Sequence, residues 1–135
     1  MNKTKDNSLS FAITPRLESL SKIAFHRDRE GLERFVLIDK LVDPETPASI
    51  ALHNITGTTL GSDGIKAYAK LHTHNTDEIN VILPAEGSHL HYRMIVGDLE
   101  EIVHGPATIL IKSGTPHLAE VVSGKGQFFC IKLYD

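Results

Sequence analysis

The chain has 135 residues, of which 41% are hydrophobic and 6% aromatic, with no tryptophan and a formal net charge of -3. That length supports one hydrophobic core but not two, and the acidic balance, with 14 Lys and Arg residues scattered along the chain, argues against a nucleic-acid-binding face. The single cysteine, Cys130, cannot close an internal disulfide, and within the apolar run Phe128-Phe129-Cys130-Ile131 it is expected to act as a small hydrophobe.

Residues 1–30 are expected to form a polar arm and a short helix ahead of a barrel domain at 31–135. The first residues lead into no long apolar run, so neither a signal peptide nor a membrane span is expected, and cytoplasm is the expected location. Thr14-Pro15 suits a helix start, and Leu17, Leu20 and Ala24 would then share one helical face. Arg34–Ile38 reads as a strand and Asp43–Pro47 as a loop fixed by its prolines. From there the pattern is β throughout. Strands are expected at Ile50–Thr56, Ile65–His74, Ile79–Leu83, His89–Ile95, Leu99–His104, Ala107–Lys112, Leu118–Val122 and Phe128–Leu133. Turn signals separate them, among them Gly61-Ser62-Asp63-Gly64, Pro84-Ala85-Glu86-Gly87 and Ser123-Gly124-Lys125-Gly126. Short strands at this spacing predict an all-β sandwich or barrel. Ala107–Ile111 is almost wholly apolar, so both its faces are expected to be covered, one by the interior and the other by the N-terminal arm or a second subunit.

The chemistry concentrates in Lys70-Leu71-His72-Thr73-His74-Asn75-Thr76-Asp77-Glu78 and, some forty residues on, in Gly114-Thr115-Pro116-His117. On a strand, His72 and His74 point the same way, about 6.7 Å apart, and can close on one ion. Glu78 can add an oxygen ligand. Gly114 permits a tight turn and Pro116 stiffens it, so that His117 projects inward. Three nitrogens and a carboxylate suit one divalent transition metal ion: Fe, Mn, Ni, Zn, Co or Cu. Strand parity places Lys66, Tyr68 and Lys70 with the histidine pair and Asn80 with Glu78, which makes Tyr68, Lys70 and Asn80 candidate substrate contacts. Lys70, costly to bury, is expected at the barrel mouth. A second His-x-His, His89-Leu90-His91, lies in a stretch where alternation separates His89, His91 and Arg93 from Leu90, Tyr92 and Met94. Either the apolar trio faces inward, or His91 and Arg93 turn into the cavity as substrate contacts. No glutamate follows this pair at the spacing of the first.

His72, His74 and Glu78 resemble the first motif of the cupin superfamily, Gly…His-x-His-xxx-Glu…Gly, and Gly105–His117 resembles the second, Gly…Pro-x-Gly-xx-His…Asn. Lys112 stands where the second motif has its proline, and Val121 where it has its asparagine. The resemblance spans roughly residues 50–133. It implies a jelly-roll barrel, the cupin double-stranded β-helix, with metal ligands His72, His74, Glu78 and His117. It also implies a metal-dependent enzyme on a small polar or anionic metabolite, of oxygenase, isomerase or lyase type, in which Glu78 is also catalytic through the charge it sets on the ion. The alternative is a non-catalytic protein that uses its metal to bind a small molecule. Pairing as a homodimer is expected, with no nucleic-acid or membrane partner.

Overall fold

A computed structural model describes residues 12–22, 30–59 and 70–135, with the backbone alone for Thr58 and Thr59. Its strands are β1 (Arg16–Glu18), β2 (Leu32–Ile38), β3 (Ala48–Thr59), β4 (Asp77–Pro84), β5 (Leu90–Val96), β6 (Leu99–His104), β7 (Ala107–Ile111) and β8 (His117–Leu133). Every pairing is antiparallel. One path runs β1-β2-β3-β8-β4-β7, and β5, carrying β6, joins through β8.

The arrangement turns on β8, which changes partners midway. Its first half, from His117 to Gly124, pairs with β5, and its second, from Gly126 to Leu133, pairs with β3 and β4. Both ends arrive at Glu78: His117 Nε2 lies 3.6 Å from Glu78 Oε1, and Lys132 is the register partner of Glu78. A straight strand of this length would hold its ends roughly 50 Å apart, so β8 leaves the site along one wall and returns along the other. The corner is Gly124-Lys125-Gly126. The two glycines have φ of +111° and +149°, and a Cβ would overlap the His89 carbonyl at Gly124 and the Leu83 carbonyl at Gly126. The Lys125 amide donates to the His89 carbonyl (2.9 Å), and the Ala85 amide to the Lys125 carbonyl (3.0 Å).

Alternation divides each strand between the interior and the outside. On β4 the buried residues are Glu78, Asn80 and Ile82. Their β8 partners are Lys132, Cys130 and Phe128, opposed in turn on β3 by Ser49, Ala51 and His53. The inner surface is thus polar at the Glu78 end and apolar at the other. The apolar end holds the core, with Leu32, Ile55, Ile82, Leu90, Tyr92, Met94, Val121 and Phe128 packed together. Tyr92 stacks on Phe128 with ring centroids 4.4 Å apart.

Three expectations change. Residues 16–18 form a strand instead of a helix, because Arg16 and Glu18 join cross-strand ion pairs to Asp39 (2.7 Å) and Arg34 (3.0 Å). A short 3-10 turn at Leu20–Lys22 follows, and Ala24 lies outside the described residues. Leu118–Val122 and Phe128–Leu133 are one continuous strand: the turn signal between them marks a true reversal, but each half finds a partner without breaking the ladder. Of Ile65–His74, residues 65–69 lie outside the described residues, and 70–74 make only a single bridge, His72 with His117. On β7, Leu110 is 56% exposed in the single chain, so none of the described residues covers this outer position, and a second copy is the cover left from the two expected.

Gly124→Ala tests the corner. Positive φ alone costs a β-carbon residue about 1–3 kcal/mol, and the collision with the His89 carbonyl adds to it. The variant is expected to unfold at a markedly lower denaturant concentration than Gly87→Ala, where nothing lies within 4 Å of the added carbon.

Candidate metal centre

The site is assembled by backbone before any side chain acts. The His72 amide donates to the His117 carbonyl (3.1 Å) and the His117 amide to the His72 carbonyl (2.9 Å), while the Gly114 amide donates to the His74 carbonyl (2.9 Å). Gly114 has φ +81°, as a tight turn needs. Asp77 fixes the same turn from β4, accepting from the Ser113 amide at 2.8 Å and from Lys112 at 3.1 Å. Lys112, where a proline was expected by resemblance, therefore holds the turn by an ion pair.

Three imidazoles meet there. Ring centroids are 4.7 Å apart for His72 and His74, 4.5 Å for His72 and His117, and 5.1 Å for His74 and His117. Their donor nitrogens all lie within 4.8 Å of one another. Three nitrogens sharing one ion at 2.0–2.1 Å can be no more than about 3.6 Å apart on average, so a shift of up to about 1 Å per side chain closes the set. Nδ1 of His72 donates to the Lys70 carbonyl (2.6 Å) and Nδ1 of His117 to the Thr115 carbonyl (2.9 Å). Those bonds leave Nε2 of each ring as the ligating atom and fix its aim. Glu78 Oε1 lies 3.5 Å from His74 Nε2 and 3.6 Å from His117 Nε2, too long for hydrogen bonds. Glu78 Oε2 accepts from the Asn80 amide at 2.9 Å.

Glu78 Oε1 and His117 Nε2 are both buried without a hydrogen-bond partner. Buried lone pairs left unmet are expensive; these two lie 3.6 Å apart, one within the three-histidine cluster and the other against its His74–His117 edge. A cation among them would meet both. The residues fit a metal ion.

Charge follows the same geometry. Burial would raise the Glu78 carboxyl, but His117, the Asn80 amide and the charge of His74 outweigh it and hold it down at about 2. His74 is lowered to about 4, chiefly by burial and then by the Lys132 charge, and His72 is lowered by burial. His117 is raised despite burial, because Glu78 and the Thr115 carbonyl favour its charged form. Two neutral imidazoles and a carboxylate are already in their ligating states at neutral pH.

The structure brings together His72, His74, Glu78 and His117. Lys70 has an exposed side chain and serves the site through its carbonyl. Asn80 faces inward but holds Glu78. Leu90, Tyr92 and Met94 are buried, so His91 and Arg93 lie on the opposite face and not in the cavity. Arg93 there pairs with Glu100 (2.9 Å) and buried Glu120 (2.7 Å). Tyr68 and Lys66 fall outside the described residues. Cys130 and Lys132 are the site neighbours that sequence reasoning missed. Burial and the Glu78 charge push the Cys130 thiol up to about 12, which makes it inert. Both residues also line a cleft of about 360 Å³, with Arg34, Lys40, Ser49 and Tyr134 among its walls. The clue in sequence was their even spacing from Phe128, which puts all three on one face.

No protein-family model and no curated protein matches the sequence. Solved structures do match. An RmlC-like cupin from Shewanella frigidimarina superposes with a TM-score of 0.57 at 12% identity, over 98% of this chain and 94% of that one. A predicted oxalate decarboxylase from Thermotoga maritima gives 0.57 at 16%, over 91% and 94%. The iron(II) form of HppE gives 0.58 at 12%, over 98% and 64%. The chain has the cupin fold, an antiparallel all-β barrel, with a histidine triad able to hold a metal. No helix among the described residues is long and apolar enough to cross a membrane.

The histidine shifts set a pH dependence for the metal-free protein. With a folded value of about 4 against 6.5, the unfolded chain takes up a proton at His74 between pH 6.5 and about 4 that the folded chain refuses. Stability from this group is therefore lost as pH falls through that window. The stability that raised His117 contributes is fully present below 6.5 and is lost as pH rises above it, and Glu78 enters only below 4.5. The melting temperature of chelator-treated protein is expected to drop between pH 6.5 and 5, and to drop less in His74→Gln.

Proposed function

We propose that the protein is a metal-dependent enzyme acting on a small anionic metabolite. The carrying observation is the meeting of two unpartnered buried donors, Glu78 Oε1 and His117 Nε2, at the three-histidine cluster, next to a cleft whose spare charge is positive. One divalent ion, bound by His72, His74, Glu78 and His117, would polarise a substrate oxygen. Four protein ligands leave room for that oxygen on a six-coordinate ion, where a closed structural site would leave none. The iron in HppE supports a redox-active ion as one candidate for the metal.

The chain's own residues do the rest. Asn80 holds one Glu78 oxygen so that the other faces the triad. In the cleft, Glu18 is paired with Arg34 (3.0 Å), Asp39 with Arg16 (2.7 Å), and Lys40 sits over the Tyr134 ring at 4.0 Å. Lys132, opposite Glu78, has no ion-pair partner among the described residues. It is the group that would bind a carboxylate reaching toward the metal, and the cleft, not His91 or Arg93, is the proposed substrate wall. A non-catalytic binding protein is the second reading, favoured by the same cation and cleft.

Metal analysis after gel filtration tests the centre. About one tightly held ion per chain is expected to survive the column, without free metal in the buffer, in the wild type and in His91→Ala, and close to none in His72→Ala. The opposite pattern would place the centre on the wrong histidines. Incubating metal-loaded protein with a mixture of small carboxylic and sugar acids, with and without oxygen, separates the chemistries by mass spectrometry. Oxygen-dependent loss of a compound marks an oxygenase, oxygen-independent conversion an isomerase or lyase, and retention alone a binding protein. Lys132→Met is expected to weaken retention or raise KM by about tenfold or more, the worth of one charged hydrogen bond, with metal content unchanged.

The dimer is proposed from the outer sheet face. Leu17, Phe35, Leu52, Phe129 and Val81 line up directly across five strands, and Ile131, Ile79 and Leu110 form a second row. All are half-buried or exposed. A contiguous apolar face of this kind is characteristic of a covered surface, and a second copy covers it isologously. Light scattering is expected to give twice the 14.9 kDa chain mass, and Leu110→Lys to lower it; a wild-type monomer overturns the pairing.

A further inference from the structure

Three histidines take no part in the centre described above yet stand together on the other side of the barrel wall. His91 on β5 and His104 on β6 are direct register partners, so their side chains share a face. Their rings stack with centroids 3.9 Å apart and planes 15° from parallel. His89, two residues before His91, brings its ring to 4.6 Å from that of His91. Burial of Leu90, Tyr92 and Met94 in the core fixes this face as the outer one. His89 and His104 are exposed and His91 half-buried.

We propose that His89, His91 and His104 form a second transition-metal site on the outside of the barrel, taking a divalent ion such as Zn²⁺ or Cu²⁺ with its remaining positions open to solvent.

Imidazole suits these ions as a ligand, and His89 and His104, each with its ring beside that of His91, can chelate one ion with it once they turn. Burial and the neighbouring His104 and His89 lower the His91 pKa, which keeps that ring in its ligating form at neutral pH. Arg93, two residues from His91 on the same face, is paired with Glu100 and Glu120 (2.9 and 2.7 Å), which offsets its repulsion of an incoming ion. His89 Nε2 lies 3.1 Å from Ser123 Oγ, a contact that is exchanged for the ion when the ring turns. Among the described residues only the inner triad has its donor atoms already converged. Stacked rings do not share an ion, so the outer trio closes by rotation of His89 and His104, and exposed side chains change rotamer within nanoseconds. That rearrangement makes the outer site weaker and faster to exchange than the inner one. The competing account is plain cross-strand packing, which binds nothing.

Equilibrium dialysis against buffered Zn²⁺ at pH 7.5 decides between them. Wild type is expected to take up about two ions per chain and His91→Ala/His104→Ala about one. His72→Ala/His117→Ala, which lacks the inner site, is expected to keep about one. The wild-type comparison stands alone if that last variant fails to fold. Untagged wild-type protein should also be retained on a column of immobilised Zn²⁺, which reaches only outer ligands, and His104→Ala should elute earlier. Uptake and retention unchanged by loss of His91 and His104 would overturn the proposal, as would a wild-type chain that takes up no more zinc than His91→Ala/His104→Ala. A folded His72→Ala/His117→Ala chain that keeps no zinc would likewise overturn the outer site, whereas a wild-type chain that takes up one ion lost only with His72 and His117 supports the inner centre alone.

Discussion

The pair of amide-to-carbonyl bonds between His72 and His117 is the constraint on which the site depends. It joins a stretch with no regular strand of its own to the first residue of β8, and it does so at the two positions whose side chains must meet. Once the bridge forms, alternation carries His74 to the same side as His72, and the Gly114 amide ties its carbonyl to the turn. Glu78 then needs only the β4–β8 register to arrive opposite. Backbone bonds thus do the positioning that flexible side chains could not do alone, and the imidazoles add aim through their Nδ1 contacts.

The barrel supports this by grading its interior. Along β4, β8 and β3 the inward residues change from Glu78, Lys132 and Ser49 at one end to Ile82, Phe128 and Ile55 at the other. The apolar end supplies the burial that stabilises the fold. The polar end holds groups that would be costly inside a core unless paired or coordinated. Asn80 and Cys130 lie between, one satisfying Glu78 and the other too depleted of thiolate to compete for an ion. The electrostatics of the site come from this layering more than from any single residue.

Much of this was legible in the chain. Metal ligands require particular residue types at particular parities, so His72, His74, Glu78 and His117 stood out, and strand boundaries followed from turn residues and alternation. What was not legible depends on register between segments far apart in sequence. Lys132 reads as one more charged residue near the end of the chain until β8 pairs with β4 and sets it against Glu78. Asn80 reads as a pocket residue until its amide is seen to be occupied. Residues 16–18 carry a spacing that suits a helix, and only Asp39 and Arg34, on another strand and its flank, convert them to an edge strand. The Gly124–Gly126 signal was a turn in direction without an end to the strand, a distinction that sequence periodicity does not encode.

The return path of β8 has a consequence for the order in which the molecule is made. The register joins Ala48 and Asp77 to Leu133, so both walls wait for the last strand of the chain before their ladders close. Contacts this distant demand that loop entropy be lost before they repay it, which places such topologies among the slower folders. During synthesis the histidines and glutamate of residues 72–78 emerge well before the partner strand that fixes them. The ion is therefore expected to enter a finished barrel rather than to nucleate one, and refolding rates compared with and without metal read that order directly.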